Sequence, residues 1–229
     1  MIRKLATGAS AFSTFVQVLP RLASVVKRMR PTWHLPSLAS VDEAFLKQHG
    51  IRGLIWDIDG TLTGDRLPDL HEHSAEAFRS LMAMPGITHV VLSNSGEERY
   101  RQLGIMFPEL PILRGYRHNG QVLFRRLHAG KDSWSADELK QRLADGARMI
   151  RKPSRELVEY ALSELKLAAS EVAMLGDQYM TDVAGANYGG VRSIKLPTIA
   201  HETFRTSVRI SQRIENIIYT VVHRGHGRR

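Results

Sequence analysis

The chain has 229 residues, 43% of them hydrophobic and 24% charged, and no cysteine; it is long enough to bury a full core, and disulfide scaffolds, thiolate metal sites and cysteine nucleophiles are excluded. Its net charge of +9 is concentrated at the two ends. Residues 1–41 carry Arg3, Lys4, Arg21, Lys27, Arg28 and Arg30 without an acid, and residues 201–229 carry six arginines against Glu202 and Glu215, so residues 42–200 are close to neutral.

In chain order, residues 5–19 are weakly apolar behind Arg3 and Lys4, but Thr7, Ser10, Ser13, Thr14 and Gln17 dilute them below a signal-peptide core. The acid-free composition with Arg and Ser suits a transit peptide if the source is eukaryotic. Phe12, Phe15, Val16, Leu19, Leu22, Val26 and Met29 recur at helical spacing, with Pro20 dividing them into two amphipathic helices. Strands follow at GLIWDID (53–59), HVVLSNS (89–95), PILRG (111–115), EVAMLGD (171–177) and VRSIKL (191–196). Residues 72–82 and 155–166 have helical periodicity, the second behind Pro153 and with Leu157, Val158, Ala161, Leu162 and Leu165 on one face.

Residues 116–149 differ in character. His118-Asn119-Gly120-Gln121 suits a hairpin turn before Val122-Leu123-Phe124, and Ser135 with Glu138 suits a capping box. The segment reads as a small insertion, with Trp134 in a substrate-selecting lid or in a patch covering a loop. After residue 200, Val208, Ile210, Ile214, Ile217, Ile218, Val221 and Val222 form a second basic amphipathic helix. Short apolar runs alternating with helices predict an α/β fold, a Rossmann-like parallel sheet flanked by helices. The expected division is a flank at 1–41, a body at 42–200 and a helix with tail at 201–229. No apolar run reaches the roughly 18 residues that a spanning helix needs.

Ligands of such sheets bind at the carboxyl ends of the strands. There the assignments bring Asp57 and Asp59, Ser93 and Asn94, and Asp177, with Lys152 and Asp182 in reach. Adjacent carboxylates raise one another's pKa unless a hard cation sits among them, and Mg²⁺ takes carboxylates, waters and phosphate oxygens. Carboxylates, one lysine and one hydroxyl at one edge therefore suggest a cation and an anionic substrate. The bland alternatives are turn-capping by Asp57 and Asp59, a helix cap or salt bridge at Asp182, and a solvated Lys152 with Lys131 in its place. His71 and His73 have no spacing that specifies a zinc site.

DIDGTLT (57–63), LSNS (92–95), RKPS (151–154) and GDQYMTD (176–182) resemble, in order, the four motifs of the haloacid dehalogenase (HAD) superfamily of aspartyl-phosphate phosphotransferases. The resemblance implies a HAD-like fold over roughly residues 50–195 and a Mg²⁺-dependent phosphatase. It implies Asp57 as nucleophile, and Asp59 as proton donor and then acceptor whose main-chain carbonyl binds the metal. Ser93 and Asn94 would hold the substrate phosphoryl group and Lys152 would neutralise it. Asp177 would bind the metal, and Asp182 would support it or Lys152.

GDQYMTDVAGANYGG (176–190) followed by SIKLPTIA looks like the YqeG-type branch, subclass IIIA, which includes phosphatidylglycerophosphate phosphatases. Gly60, where that branch often has Asn, and the longer spacing between Ser93 and Lys152 depart from it. The implied substrate is a lipid phosphate head group, with a soluble sugar or nucleotide monophosphate as the alternative and a non-catalytic adaptor as a third reading. Both basic flanks suit peripheral contact with an anionic membrane, and equally packing on the body or on a second subunit. They hold few aromatics for stacking nucleic-acid bases. The expected placement is cytoplasmic or at the inner face of a membrane, mitochondrial in a eukaryote.

Overall fold

Strand β2 (Gly53–Trp56) lies at the centre of a nine-stranded sheet in which every one of its residues is buried. The structure, a computed structural model, describes residues 22–224. Targeting readings of residues 5–19, and the apolar positions Phe12, Phe15, Val16 and Leu19, fall outside them.

The strands are β1 (Trp33–His34), β2, β3 (Thr88–Leu92), β4 (Ile112–His118), β5 (Gln121–His128), β6 (Lys131–Asp132), β7 (Arg148–Ile150), β8 (Val172–Gly176) and β9 (Arg192–Lys195). Their order is β1-β9-β8-β2-β3-β4-β5-β6, with β7 paired to β4. From β1 to β4 all pairs are parallel, which is why β2 and β8 read as continuous apolar runs. Trp56 pairs with both Val91 and Leu175, so Asp57, Ser93 and Asp177 leave the sheet at the same edge.

Helices α1 (Leu22–Lys27), α2 (Glu43–His49), α3 (Glu72–Met82), α4 (Glu97–Met106), α5 (Ala136–Ala144), α6 (Arg155–Leu165), α7 (Ala184–Gly189) and α8 (Thr206–Tyr219) surround it. Phe78 and Leu81 of α3 close one face together with Trp56 and Leu103. Leu157, Val158, Ala161 and Leu165 of α6 close the other. The fold is thus α/β and Rossmann-like, as the alternating pattern predicts.

Residues 116–149 continue the sheet. The expected strand at 111–115 runs on to His118, then turns through Asn119 (φ 48°) and Gly120 (φ 78°) into β5. Two positive φ values in a two-residue loop match the twist of the hairpin. β7 pairs with the outer half of β4 on the side where β3 has ended. Trp134 packs with Tyr116 and Leu139 in a small core of this segment. The capping box is half made: Ser135 Oγ accepts from Glu138 N at 3.0 Å, while the Glu138 carboxylate pairs with Arg142.

The described part of the N-terminal flank packs on the body. Val25 and Met29 are buried against Tyr179, Met180, Val183 and Ala184, and β1 joins the sheet edge. α8 is oriented differently, with Gln212 and Glu215 buried and Ile210, Ile214 and Ile217 exposed, as is Val221 in the turn Thr220–Arg224 that follows it. No described helix is long and apolar enough to cross a membrane.

Candidate active site

The loop after β2 turns sharply at Gly60, whose φ is +94°. A Cβ there would lie 2.6 Å from Asp177 Oδ2 and 3.0 Å from Phe204 Cζ, so only glycine allows both the turn and the approach of Asp177. The Gly60 carbonyl accepts from Ile199 N at 2.9 Å, which ties this loop to the chain beyond β9.

Lys152 is the hub. Its ammonium donates to Asp57 Oδ1 at 2.5 Å and to Asp182 Oδ1 at 2.6 Å, in full burial. Asn94 grips its peptide from both sides, accepting from Lys152 N at 2.7 Å and donating to Lys152 O at 3.2 Å. A strand-end residue of β3 thus sets the height of the lysine before α6. Burial alone would lower the pKa of Lys152, but Asp182 and Asp57 outweigh it and hold the ammonium charged. Lys131, the other candidate, is exposed on β6 at the far edge of the sheet.

Asp57, Asp177 and Asp182 converge, each offering an oxygen within 4.8 Å of the others, and all three are buried. Burial and then the charge of Asp182 push Asp57 well above the carboxylate range, with Lys152 opposing. The same two causes push Asp177 up to about 7. Asp177 Oδ2 accepts from Thr198 Oγ1 at 2.8 Å and Gln212 Nε2 at 3.0 Å, whereas its Oδ1 is buried without a hydrogen-bond partner. Three crowded hard oxygen donors, more than Lys152 and the nearby buried Lys195 offset, with one oxygen orphaned, fit a divalent cation such as Mg²⁺. Asp182 also accepts from Gln178 N at 3.0 Å, so it serves Lys152 and its own helix entrance together.

Asp59 stands outside this trio. Its Oδ1 gathers Arg99 Nη2 at 2.7 Å, Arg99 Nε at 3.1 Å, Arg66 N at 3.1 Å and Thr63 Oγ1 at 3.3 Å. Asp59 still lines the cleft of about 160 Å³ over Asp57, with Ser93, Asn94, Arg66 and Arg151. Ser93 Oγ accepts from Ser95 N at 3.2 Å and keeps its proton for a ligand. The opposite wall is Phe204 with Val208, Ser211 and Glu215 of α8, and no residue of 116–149 takes part. Glu215 accepts from Met180 N at 3.2 Å and is pushed up to about 8, chiefly by burial and further by Asp177 and Asp182.

The HAD-hydrolase-like family model matches residues 149–203, the stretch that holds Lys152, Asp177 and Asp182. The mainly parallel α/β sheet is consistent with a HAD-like fold. Over 187 residues, 79% of this chain and 84% of the relative, the sequence is 25% identical to "Probable phosphatase YqeG" of Bacillus subtilis (strain 168). A solved structure of an uncharacterized protein from Listeria monocytogenes serotype 4b aligns with a TM-score of 0.42 and 18% identity, covering 64% of this chain and 78% of that one.

The sequence reading did not find Arg99, Thr198, Gln212 and Glu215. Arg99 had a signal, because it lies four residues before buried Leu103 on the inner side of α4. Gln212 and Glu215 share a face of α8 that pattern alone reads as solvated.

Proposed function

We propose that the chain is a Mg²⁺-dependent phosphomonoester hydrolase of the HAD type that works through an aspartyl-phosphate on Asp57. The observation that carries this reading is the Lys152 ammonium bridging Asp57 and Asp182 beside Asp177 at the floor of an open cleft. Asp57, Asp177 and the main-chain carbonyl of Asp59 would hold Mg²⁺, with Asp182 in support; when bound, the ion offsets charge on the phosphoryl oxygens and on Asp57.

An Asp57 oxygen attacks phosphorus and the bond to the leaving oxygen breaks, that oxygen taking a proton from Asp59. Water then attacks phosphorus, Asp59 takes its proton, and the bond to Asp57 breaks to release inorganic phosphate. The donors around Asp59 converge on Oδ1, which leaves Oδ2 to carry the proton. Ser93 donates to the phosphoryl group, and the Lys152 ammonium, donating to Asp57, opposes the rise in its pKa and offsets negative charge as substrate binds.

The preferred substrate is an anionic lipid phosphate of the phosphatidylglycerophosphate kind. Two features support it: the insertion at 116–149 does not roof the cleft, and α8, which walls it, is apolar outside. Arg66 and Arg151 at the cleft would also take a soluble sugar or nucleotide monophosphate, which is the second reading. All four motif positions being filled counts against an adaptor.

Turnover of p-nitrophenyl phosphate with Mg²⁺, abolished in Asp57→Asn, tests the chemistry; an unchanged rate in that variant sinks it. A panel of phosphatidylglycerophosphate against soluble monophosphates tests the substrate, and a preference for a soluble ester overturns the lipid reading.

A further inference from the structure

We propose that α8 is an interfacial helix, which lies on an anionic bilayer with its outward face while its inward face walls the catalytic cleft. This deepens the lipid-phosphate reading and rests on it for its purpose, though binding to a bilayer is a separate property.

The helix is inside out. Ile210, Ile214 and Ile217 of α8, with Val221 in the helical turn Thr220–Arg224 that continues it, are spaced four, three and four residues apart, form one stripe and are 51%, 40%, 63% and 70% exposed. Four large aliphatic side chains in one outward line form a contiguous patch, unlike scattered surface apolar residues. The inward side carries the polar Gln212 and Glu215, less exposed than any of the isoleucines of the stripe, beside Ile218 and Tyr219, which pack on the cluster of Val25 and Met29.

That orientation is fixed from within. Gln212 donates to Asp177 Oδ2, and Glu215 accepts from Met180 N. Turning the helix to bury the stripe would strand these buried groups and set isoleucines against the carboxylate cluster, at a cost beyond the apolar gain. The stripe therefore has to be covered from outside.

Charge selects the cover. Glu215 is the only acid of α8 and is buried, whereas Arg213 is exposed and Arg209 half-buried, both along one side of the stripe. Arg224, Arg228 and Arg229 follow in the sequence. An apolar stripe edged by arginines matches a membrane whose surface is anionic, the aliphatic side chains entering the acyl boundary and the guanidinium groups meeting phosphates. The cleft mouth, lined by Val208 and Ser211 of the same helix, would then sit at the lipid surface.

The test is flotation of the full chain with phosphatidylcholine vesicles, with and without phosphatidylglycerol, at low and high salt. The expected result is flotation only with phosphatidylglycerol, weakened by salt. It should fall at least tenfold in Ile210→Ser/Ile217→Ser/Val221→Ser, with Mg²⁺-dependent p-nitrophenyl phosphate turnover retained as the sign of a folded site. Arg209→Gln/Arg213→Gln should lower binding and flatten its salt dependence, because fewer cations meet the anionic surface. Wild-type protein that stays at the bottom, or a triple variant that floats like wild type, overturns the proposal. So does a wild-type dimer in solution that the triple variant converts to monomer, because the stripe is then a self-association face. If flotation fails while Asp57-dependent turnover holds, only this inference is lost; if flotation holds while Asp57→Asn stays active, only the phosphatase reading is lost.

Discussion

Gln212 Nε2 donates to Asp177 Oδ2 at 3.0 Å, joining the last helix to the carboxylate cluster at the end of β8. The orientation of a metal-site carboxylate thus depends on a residue outside the stretch that matches the hydrolase family. Partners of this kind commonly change metal affinity 10- to 100-fold when removed. In Gln212→Ala the Mg²⁺ concentration for half-maximal turnover should rise about 10-fold, with a smaller change in kcat. Metal titration of the rate checks it.

Removing the Lys152 ammonium leaves Asp57 and Asp182 buried without their shared cation. Breaking a buried pair by deleting one partner typically costs about 3–5 kcal/mol. Lys152→Met should lose that order of stability in urea unfolding without metal, and its turnover should fall below detection. Part of the lost stability should return on adding Mg²⁺.

Gly60 tests how tightly the first loop and Asp177 are packed. Gly60→Asn tolerates the positive φ better than most substitutions, yet its Cβ would still fall 2.6 Å from Asp177 Oδ2. The variant should bind Mg²⁺ more weakly and lose more than about 1 kcal/mol of stability. Calorimetry of metal binding with thermal unfolding measures both.

The pH dependence of metal binding follows from Asp177, raised to about 7 by burial and by Asp182. Below that value the metal-free site holds a proton that the ion must displace. Affinity should therefore weaken as pH falls from 8 to 6, with proton release largest at the acid end. The folded state binds this proton more tightly than the unfolded chain does. Its stabilising contribution is thus present below the ordinary value of 3.8 and is lost as pH rises to about 7. The thermal shift caused by Mg²⁺ should accordingly be greater at pH 8 than at pH 6.

The strand-end residues were legible because each follows an apolar run, and parallel pairing carries all such ends to one edge. That places Asp57, Ser93 and Asp177 together, and Lys152 and Asp182 join them through helix starts. The orientation of α8 was not legible. Spacing shows that Ile210, Ile214 and Ile217 share a face, but the inward side was decided by partners for Gln212 and Glu215 that lie far away in sequence. For the same reason the continuity of residues 116–149 with the sheet was hidden, since β7 pairs with β4 across about 30 intervening residues.

Asp59 should separate the two chemical steps. In Asp59→Asn an alkyl phosphate should lose about 10²- to 10⁴-fold in rate, because its alkoxide leaves unprotonated. p-Nitrophenyl phosphate, with a good leaving group, should still phosphorylate Asp57, and the intermediate should accumulate because water is no longer deprotonated. Arg99→Lys, which keeps a charge but loses the two-pronged contact with Asp59 Oδ1, should show a milder form of the same pattern.

The most direct measurement is peptide mass spectrometry of the full chain, acid-quenched during turnover of p-nitrophenyl phosphate with Mg²⁺, using Asp59→Asn to trap the intermediate. Phosphate on Asp57, absent without Mg²⁺ and absent when Asp57→Asn is added, is the predicted result. Turnover with no phosphate on Asp57, or with phosphate on another residue, would contradict it.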